Sequence, residues 1–267
     1  MDDPADDVLV DRARAGDRGA LAQLLERYQG RVHRFGLKMC GHPEDAEDVL
    51  QETLLAATRS IGTFKGDASL STWLYTIARS FCIKKRRKSK FAPTHEASLD
   101  EAVEAVDPAR GPDALAADAE VSRAIEAAIG TLDPAQREVF LLRDVEGLSA
   151  REVADVVGIS VAAVKSRLHR ARLEVRKQVA PVLRSDEAAP NADCPDILAT
   201  YSQNLEGEIS ADLCAQMKAH IDGCPACASR CEALSRTLAL CSALPAARVP
   251  ISVQDAVRQA LQLPKAP

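Results

Sequence analysis

The sequence predicts an all-α protein, and three observations carry that prediction. Apolar residues recur at helical spacing, from Leu21, Leu24 and Leu25 to Val164, Leu168 and Ala171. Several of these segments open on residues that cap or start helices, such as Pro134, Ser149 and Ser160. Aromatic residues make up only 3% of the chain against 46% hydrophobic, with Leu and Ala dominant, a balance that suits helices better than a sandwich or barrel. The 267 residues leave room for two or three small domains at roughly 100–200 residues each. The longest apolar runs, such as Leu238 to Leu244, are far too short for a bilayer, so an integral membrane protein is excluded and no membrane partner is expected. The start, Met1-Asp2-Asp3-Pro4, lacks the basic-then-apolar order of a secretion signal. A cytoplasmic location is therefore expected, where the eight cysteines serve as thiols, metal ligands or redox sensors rather than structural disulfides.

Net charge is −5, but the average hides blocks of opposite sign. Every ionisable residue from Arg79 to Lys90 is basic, and from Lys165 to Lys177 six basic residues face only Glu174. Between the blocks lies an acidic stretch with Pro93, Pro108 and Pro112, read as a flexible linker over 91–117. A second break near Pro190 precedes the cysteine-rich end. The expected domains are 1–90, 118–184 and 192–245, with a tail over 246–267.

In the first domain, Leu21, Leu24, Leu25, Tyr28, Val32 and Phe35 share one helical face. Ala46, Val49, Leu50, Thr53, Leu54 and Ala57 form a second, and Leu70, Trp73, Leu74, Ile77, Ala78 and Phe81 a third. Three amphipathic helices of this kind bury a shared core. Glu44, Glu47, Asp48, Gln51 and Glu52 crowd the polar side of the second helix. On the third, the single Trp of the chain precedes the basic run, a combination that can neutralise phosphates and stack on bases. Cys40 and Cys82 are read as packing residues.

Asp45-Ala-Glu-Asp-Val-Leu-Gln-Glu-Thr-Leu54, followed by Ser71-Thr-Trp-Leu-Tyr-Thr-Ile-Ala-Arg-Ser80, resembles region 2 of bacterial RNA polymerase sigma factors of the extracytoplasmic-function (ECF) group. The resemblance implies that Asp48, Gln51 and Glu52 contact the β′ subunit of core RNA polymerase. It implies that Trp73, Arg79, Lys84 and Arg86 lie on or near the helix that opens and reads the −10 promoter element. Leu54 stands where the family usually has Phe, and Ser80 where an Asn is common, which bears on −10 sequence preference rather than on fold.

In the second domain, Pro134 starts a helix with Val139, Phe140 and Leu142 on its apolar side. Ser149 and Glu152 form a capping box for the next helix, Gly158 permits a tight turn, and Ser160 caps a third helix. That last helix buries Val164, Leu168 and Ala171 and points Lys165, Ser166, Arg167, His169, Arg170 and Arg172 outward. Helix, glycine turn and basic helix make a DNA-binding helix-turn-helix, in which Lys165, Arg167, Arg170 and Arg172 hold DNA through bases or phosphates. Val164-Lys-Ser-Arg-Leu-His-Arg170-Ala-Arg172 resembles the recognition helix of sigma region 4, with no region 3 between the two parts. The match implies that Lys165, Ser166 and Arg170 read the −35 element.

Six of the eight cysteines fall between Cys194 and Cys241, around His220-Ile-Asp-Gly-Cys224-Pro-Ala-Cys227. Thiolate and imidazole donors at this spacing suit tetrahedral zinc, and thiolate-rich sets also take copper or cadmium. Cys224 and Cys194 each precede a Pro at an expected helix start, a position that favours thiolate. Cys194 through Cys227 resembles the zinc-binding anti-sigma domain, here in the same chain as the sigma regions, an arrangement similar to metal-responsive CorE-type sigma factors. The resemblance implies Cys194, His220, Cys224 and Cys227 as metal ligands, an intramolecular contact between the cysteine-rich domain and the sigma domains, and activation by metal. Cys231, Cys214 and Cys241 remain as candidates for an additional metal, and Cys231 also as a replacement for Cys194.

The function expected is a transcription initiation factor without a catalytic centre, gated by metal. In an alternative the same tail is a thiol redox switch. A zinc hydrolase would want an open metal position and a motif such as H-E-x-x-H, which does not occur. A plain helix-turn-helix repressor would leave the acidic helix and the first basic block unexplained.

Overall fold

The computed structural model describes residues 4–89, 112–183, 191 and 193–262. Among them are twelve α-helices and no strand, so the all-α expectation holds. The chain forms two compact units, one of residues 4–89 with 246–262, the other of residues 112–183, 191 and 193–245.

The first unit begins with α1 (Asp6–Arg14), which buries Leu9 and Ala13 and which periodicity did not announce. Asp17 caps α2 (Arg18–Cys40) by accepting from Ala20 N at 3.0 Å, and Gly41, at φ 80°, ends it. Pro43 starts α3 (Pro43–Ser60), with Glu44 and Asp45 in the first turn where the helix dipole favours them. All six apolar positions expected on α3 are buried. On α4 (Leu70–Ser89) the buried stripe is displaced from expectation. Leu70, Leu74, Tyr75, Ala78 and Cys82 are buried, whereas Trp73, Ile77 and Phe81 are half-buried at its edge. Tyr75 claims the centre because its ring packs edge-on against Phe35, with centroids 5.4 Å apart.

The expected tail is not a separate appendage. Residues after Pro245 belong to the first unit, where α12 (Ile251–Ala260) packs against α3. Val249, Val253, Val257 and Leu261 repeat every fourth residue and are all buried. Each contributes roughly 1.5–3 kcal/mol of burial. The Arg258–Glu26 pair (3.0 Å), exposed at the rim, contributes at most about 1 kcal/mol. The apolar stripe therefore holds α12 in place. Ala247 N donates to Gly30 O at 3.1 Å, so close that a Cβ on Gly30 would meet Ala246 and Ala247 at 3.0 Å.

In the second unit, α5 spans Pro112–Thr131, so helix begins inside the stretch expected as linker up to residue 117. The rest of that linker, residues 91–111, lies outside the described residues. Asp133 caps α6 (Pro134–Phe140), which runs into a π-helical turn over Leu141–Val145 that the sequence did not reveal. The capping box of Ser149 and Glu152 opens α7 (Ala150–Val157), Gly158 ends it at φ 74°, and Ser160 caps α8 (Val161–Val179). Then come α9 (Ile197–Leu205), α10 (Ala211–Gly223) and α11 (Pro225–Ser242). The cysteine-rich helices do not keep their core to themselves. Ile197, Leu198, Met217, Cys227, Cys231 and Leu234 cluster together, and Leu173 of α8 packs against them.

Candidate nucleic-acid interface and metal centre

Trp73 lies in the first turn of α4, half-exposed, its ring centroid 5.0 Å from that of Phe64. One helix thus carries this aromatic and, further along, the cations. Arg79 is half-buried, and Lys84 and Arg86 are exposed. Lys84 Nζ stands 4.9 Å from the Phe81 ring centre. Lys85 turns back to α3, bonding Asp48 and lying 3.2 Å from Asp45 Oδ1, and the Asp48 bond raises its pKa. Asp48 and Glu52 remain exposed and Gln51 half-exposed on α3.

On α8 the N-cap and the small residues Ala162 and Ala163 leave the first turns open to solvent. Ser166 and Arg170 are both exposed and adjacent, Arg170 Nη2 donating to Ser166 Oγ at 3.2 Å. Arg167 is half-buried. Lys165 Nζ is held by Glu208 Oε1 at 2.7 Å.

Arg172 departs from the outward-facing expectation, being only 1% exposed. Its Nε and Nη2 donate to the two oxygens of Asp144 at 2.9 and 2.6 Å, and Nη2 also reaches Glu206 Oε1 at 2.6 Å. Nη1 lies 3.2 Å from Ser202 Oγ. The π turn, with its wider bond from Glu146 N to Leu141 O, sets Asp144 inward. Burial opposes the charge on Arg172, but the two carboxylates outweigh it and hold the guanidinium protonated. Burial pushes Asp144 upward, against the pull of Arg172. Asp144, Glu206 and Glu208 were not anticipated. They lie 28 to 43 positions from the cations they bind, and no local spacing marks them.

The four expected ligands do come together. The donor atoms of Cys194, His220, Cys224 and Cys227 all lie within 4.8 Å of one another. Cys194 Sγ and Cys224 Sγ are 3.8 Å apart, and His220 Nε2 is 3.3 Å from Cys227 Sγ. A tetrahedral ion with metal–sulfur bonds near 2.3 Å needs sulfurs about 3.8 Å apart, so the set fits a thiophilic ion. α10 ends at Gly223 and α11 begins at Pro225, which brings His220 to the turn that holds Cys224. The first-turn N–H of Cys227 lowers the Cys224 thiol pKa, while burial pushes Cys227 up to about 12. Cys194 is not at a helix start as expected, because Asp196 caps α9 instead.

Cys231, Cys214 and Cys241 do not join the cluster, the only group of its kind among the described residues. Cys231 and Cys214 line the apolar cluster, and Cys241 is fully buried. Burial pushes Cys231 up to about 11 and Cys241 up to about 12, and their place in apolar packing away from the four clustered donors marks them as packing residues.

Three family comparisons agree with this arrangement. Sigma-70 region 2 matches residues 24–91, Sigma-70 region 4 matches 122–175, and a zinc-finger family matches 194–228. The chain is 33% identical over 163 residues to the ECF RNA polymerase sigma factor SigM of Mycobacterium tuberculosis, covering 61% of this chain and 79% of that one. It is 31% identical over 185 residues to the ECF RNA polymerase sigma-E factor of Salmonella typhimurium, covering 67% and 96%. A solved structure of CnrH in complex with the cytosolic domain of CnrY is 27% identical, with a TM-score of 0.48, covering 68% of this chain and 99% of that one.

Two DNA-binding helical modules and a Cys/His cluster define a multi-part transcription factor. The chain belongs to the ECF RNA polymerase sigma factors. It is a transcription initiation factor that binds RNA polymerase and promoter DNA, and it is not an enzyme.

Proposed function

We propose that this ECF sigma factor is gated by metal binding to its own cysteine-rich segment, and that it serves metal-homeostasis or stress promoters from the cytoplasm. Asp48, Gln51 and Glu52 contact the β′ subunit. Trp73, Arg79, Lys84 and Arg86 engage the −10 element, and Lys165, Ser166, Arg167 and Arg170 the −35 element. Arg172 supports the recognition helix from inside instead of touching DNA. Cys194, His220, Cys224 and Cys227 hold zinc or another thiophilic ion, copper and cadmium included.

The observation that carries this reading is the carboxylate pair at the end of α9. Glu208 occupies Lys165 at 2.7 Å, and Glu206 occupies Arg172 at 2.6 Å. α9 begins three residues after Cys194. One short helix thus joins a metal ligand to the cations of the recognition helix. With Glu208 on Lys165, the lysine is not available to DNA. An ion that prefers the arrangement with Glu208 withdrawn shifts the population toward promoter binding, and only such differential affinity can do so.

The test is run-off transcription with purified core polymerase across a panel of metal ions. One thiophilic ion is expected to raise transcript. Cys224→Ser should abolish that response while holoenzyme still assembles. Glu208→Ala should raise ion-independent transcript by up to ~5-fold, the scale of a half-exposed ion pair. A transcript level that no ion changes would refute metal gating. A response to peroxide in place of metal would favour the redox reading.

A further inference from the structure

Two cysteines outside the metal cluster meet in the first unit. Cys40 is the last residue of α2, and Cys82 lies within α4. Their sulfurs are 3.2 Å apart, and both are thiols. Sequence alone reads each as packing. A packing role explains the burial of Cys82 but not why a second thiol, half-exposed, stands against it.

No third His, Cys, Asp or Glu joins the pair in a group that could hold an ion, among the described residues. Two sulfurs without further ligands make a poor metal site. Their separation is about 1.2 Å longer than a disulfide bond. Cys40 occupies a helix end followed by Gly41 in the left-handed region, where the chain can turn most readily. Cys82 sits inside a continuous helix and is the fixed partner.

We propose that Cys40 and Cys82 form a reversible dithiol/disulfide site that responds to peroxides, separate from the metal cluster. The Cys40 thiolate, the accessible one, attacks a peroxide oxygen. The O–O bond breaks and, when the oxidant is hydrogen peroxide, hydroxide leaves; it takes up the proton that Cys40 released, so that the products are a Cys40 sulfenic acid and one molecule of water. Cys82 sulfur then attacks the Cys40 sulfur and a second water leaves, taking up the Cys82 proton. The two sulfurs together lose two electrons and the peroxide gains them. The resulting bond spans 42 positions and closes a loop that contains all of α3 and the start of α4 with Trp73. Oxidation thus ties together the ends of the segment that carries both the acidic helix and the aromatic of the basic helix. This dithiol site is independent of metal gating, because it rests on sulfur chemistry within the first unit.

The test treats the full chain with hydrogen peroxide, blocks remaining thiols with an alkylating agent, and maps peptides by mass spectrometry. The expected product joins the Cys40 and Cys82 peptides, about 2 Da lighter than the two thiols together, and dithiothreitol reverses it. In Cys82→Ser, Cys40 should be trapped as sulfenic acid by dimedone. In Cys40→Ser, Cys82 should keep its thiol. The linked form should show a higher denaturation midpoint for the first unit, by about 5 °C or more. Should a substitution prevent folding, the wild-type map alone decides. Alkylation of both thiols after peroxide treatment, or Cys40 linked to a cysteine of the metal cluster, would overturn the proposal.

Discussion

α4 and α8 carry comparable runs of positive charge, yet the two helices keep that charge in different ways. On α4, Lys84 and Arg86 face solvent, and Lys85 pairs with Asp45 and Asp48 of the neighbouring helix at a partly exposed edge. On α8, Arg172 is buried between Asp144 and Glu206, and Lys165 is held by Glu208. The difference is desolvation. An exposed pair exchanges water for a partner at little net gain. A buried cation must keep its partners, because losing one leaves charge without compensation in a poorly polarisable interior. A basic helix read from sequence is therefore two kinds of object, a solvated surface and an internal strut.

The largest expected effect tests the strut. Asp144→Ala leaves Arg172 buried with a single carboxylate and should destabilise the second unit by about 3 kcal/mol, seen as a lower urea midpoint. A loss under about 1 kcal/mol would mean that the guanidinium escapes to water, and the contrast between the helices would fail.

A smaller effect concerns the first unit and pH. His33 is buried and its Nδ1 lies 2.8 Å from Arg248 O, which ties α2 to the segment before α12. Burial pushes its pKa below the ordinary histidine range, while the Arg248 carbonyl and Glu47 pull the other way. The unfolded chain therefore binds the proton more readily than the folded one. Stability is full above the unfolded value of about 6.5 and declines as pH falls through it, by at most about 1.4 kcal/mol per pH unit. Denaturation of the first unit between about pH 7.5 and 5.5 should show that decline, and His33→Gln should flatten it. A rise in stability on acidification would show that the histidine gains a proton in the folded state.

The smallest effect belongs to the exposed edge. Lys85→Ala should cost under about 1 kcal/mol by thermal denaturation. A cost comparable to that of Asp144→Ala would erase the distinction between surface and strut.

Much of the fold is readable from spacing alone. The six apolar positions of α3, the capping box at Ser149 and the turn at Gly158 depend on neighbours within a few residues. The metal cluster is legible for the same reason in its His220, Cys224 and Cys227 part, while Cys194 rests on a family resemblance. Arg172 is misread from sequence because helical periodicity marks the apolar face and cannot show that a cation has a carboxylate waiting inside. The tail is misread because the repeat of Val249, Val253, Val257 and Leu261 names an apolar stripe without naming the surface it covers.

By itself, then, the sequence determined the central helices of both sigma regions, the helix starts at Pro134, Ser149 and Ser160, the order of the sigma regions and the local core of the Cys/His set. These follow from backbone preferences and side-chain periods that act over one or two turns. Only the tertiary structure decided that Asp144 and Glu206 enclose Arg172, that Glu208 takes Lys165, that α12 returns to α3, and that Cys40 meets Cys82. Those meetings join residues far apart in the chain, and they arise from packing that closes the core, which no local pattern encodes.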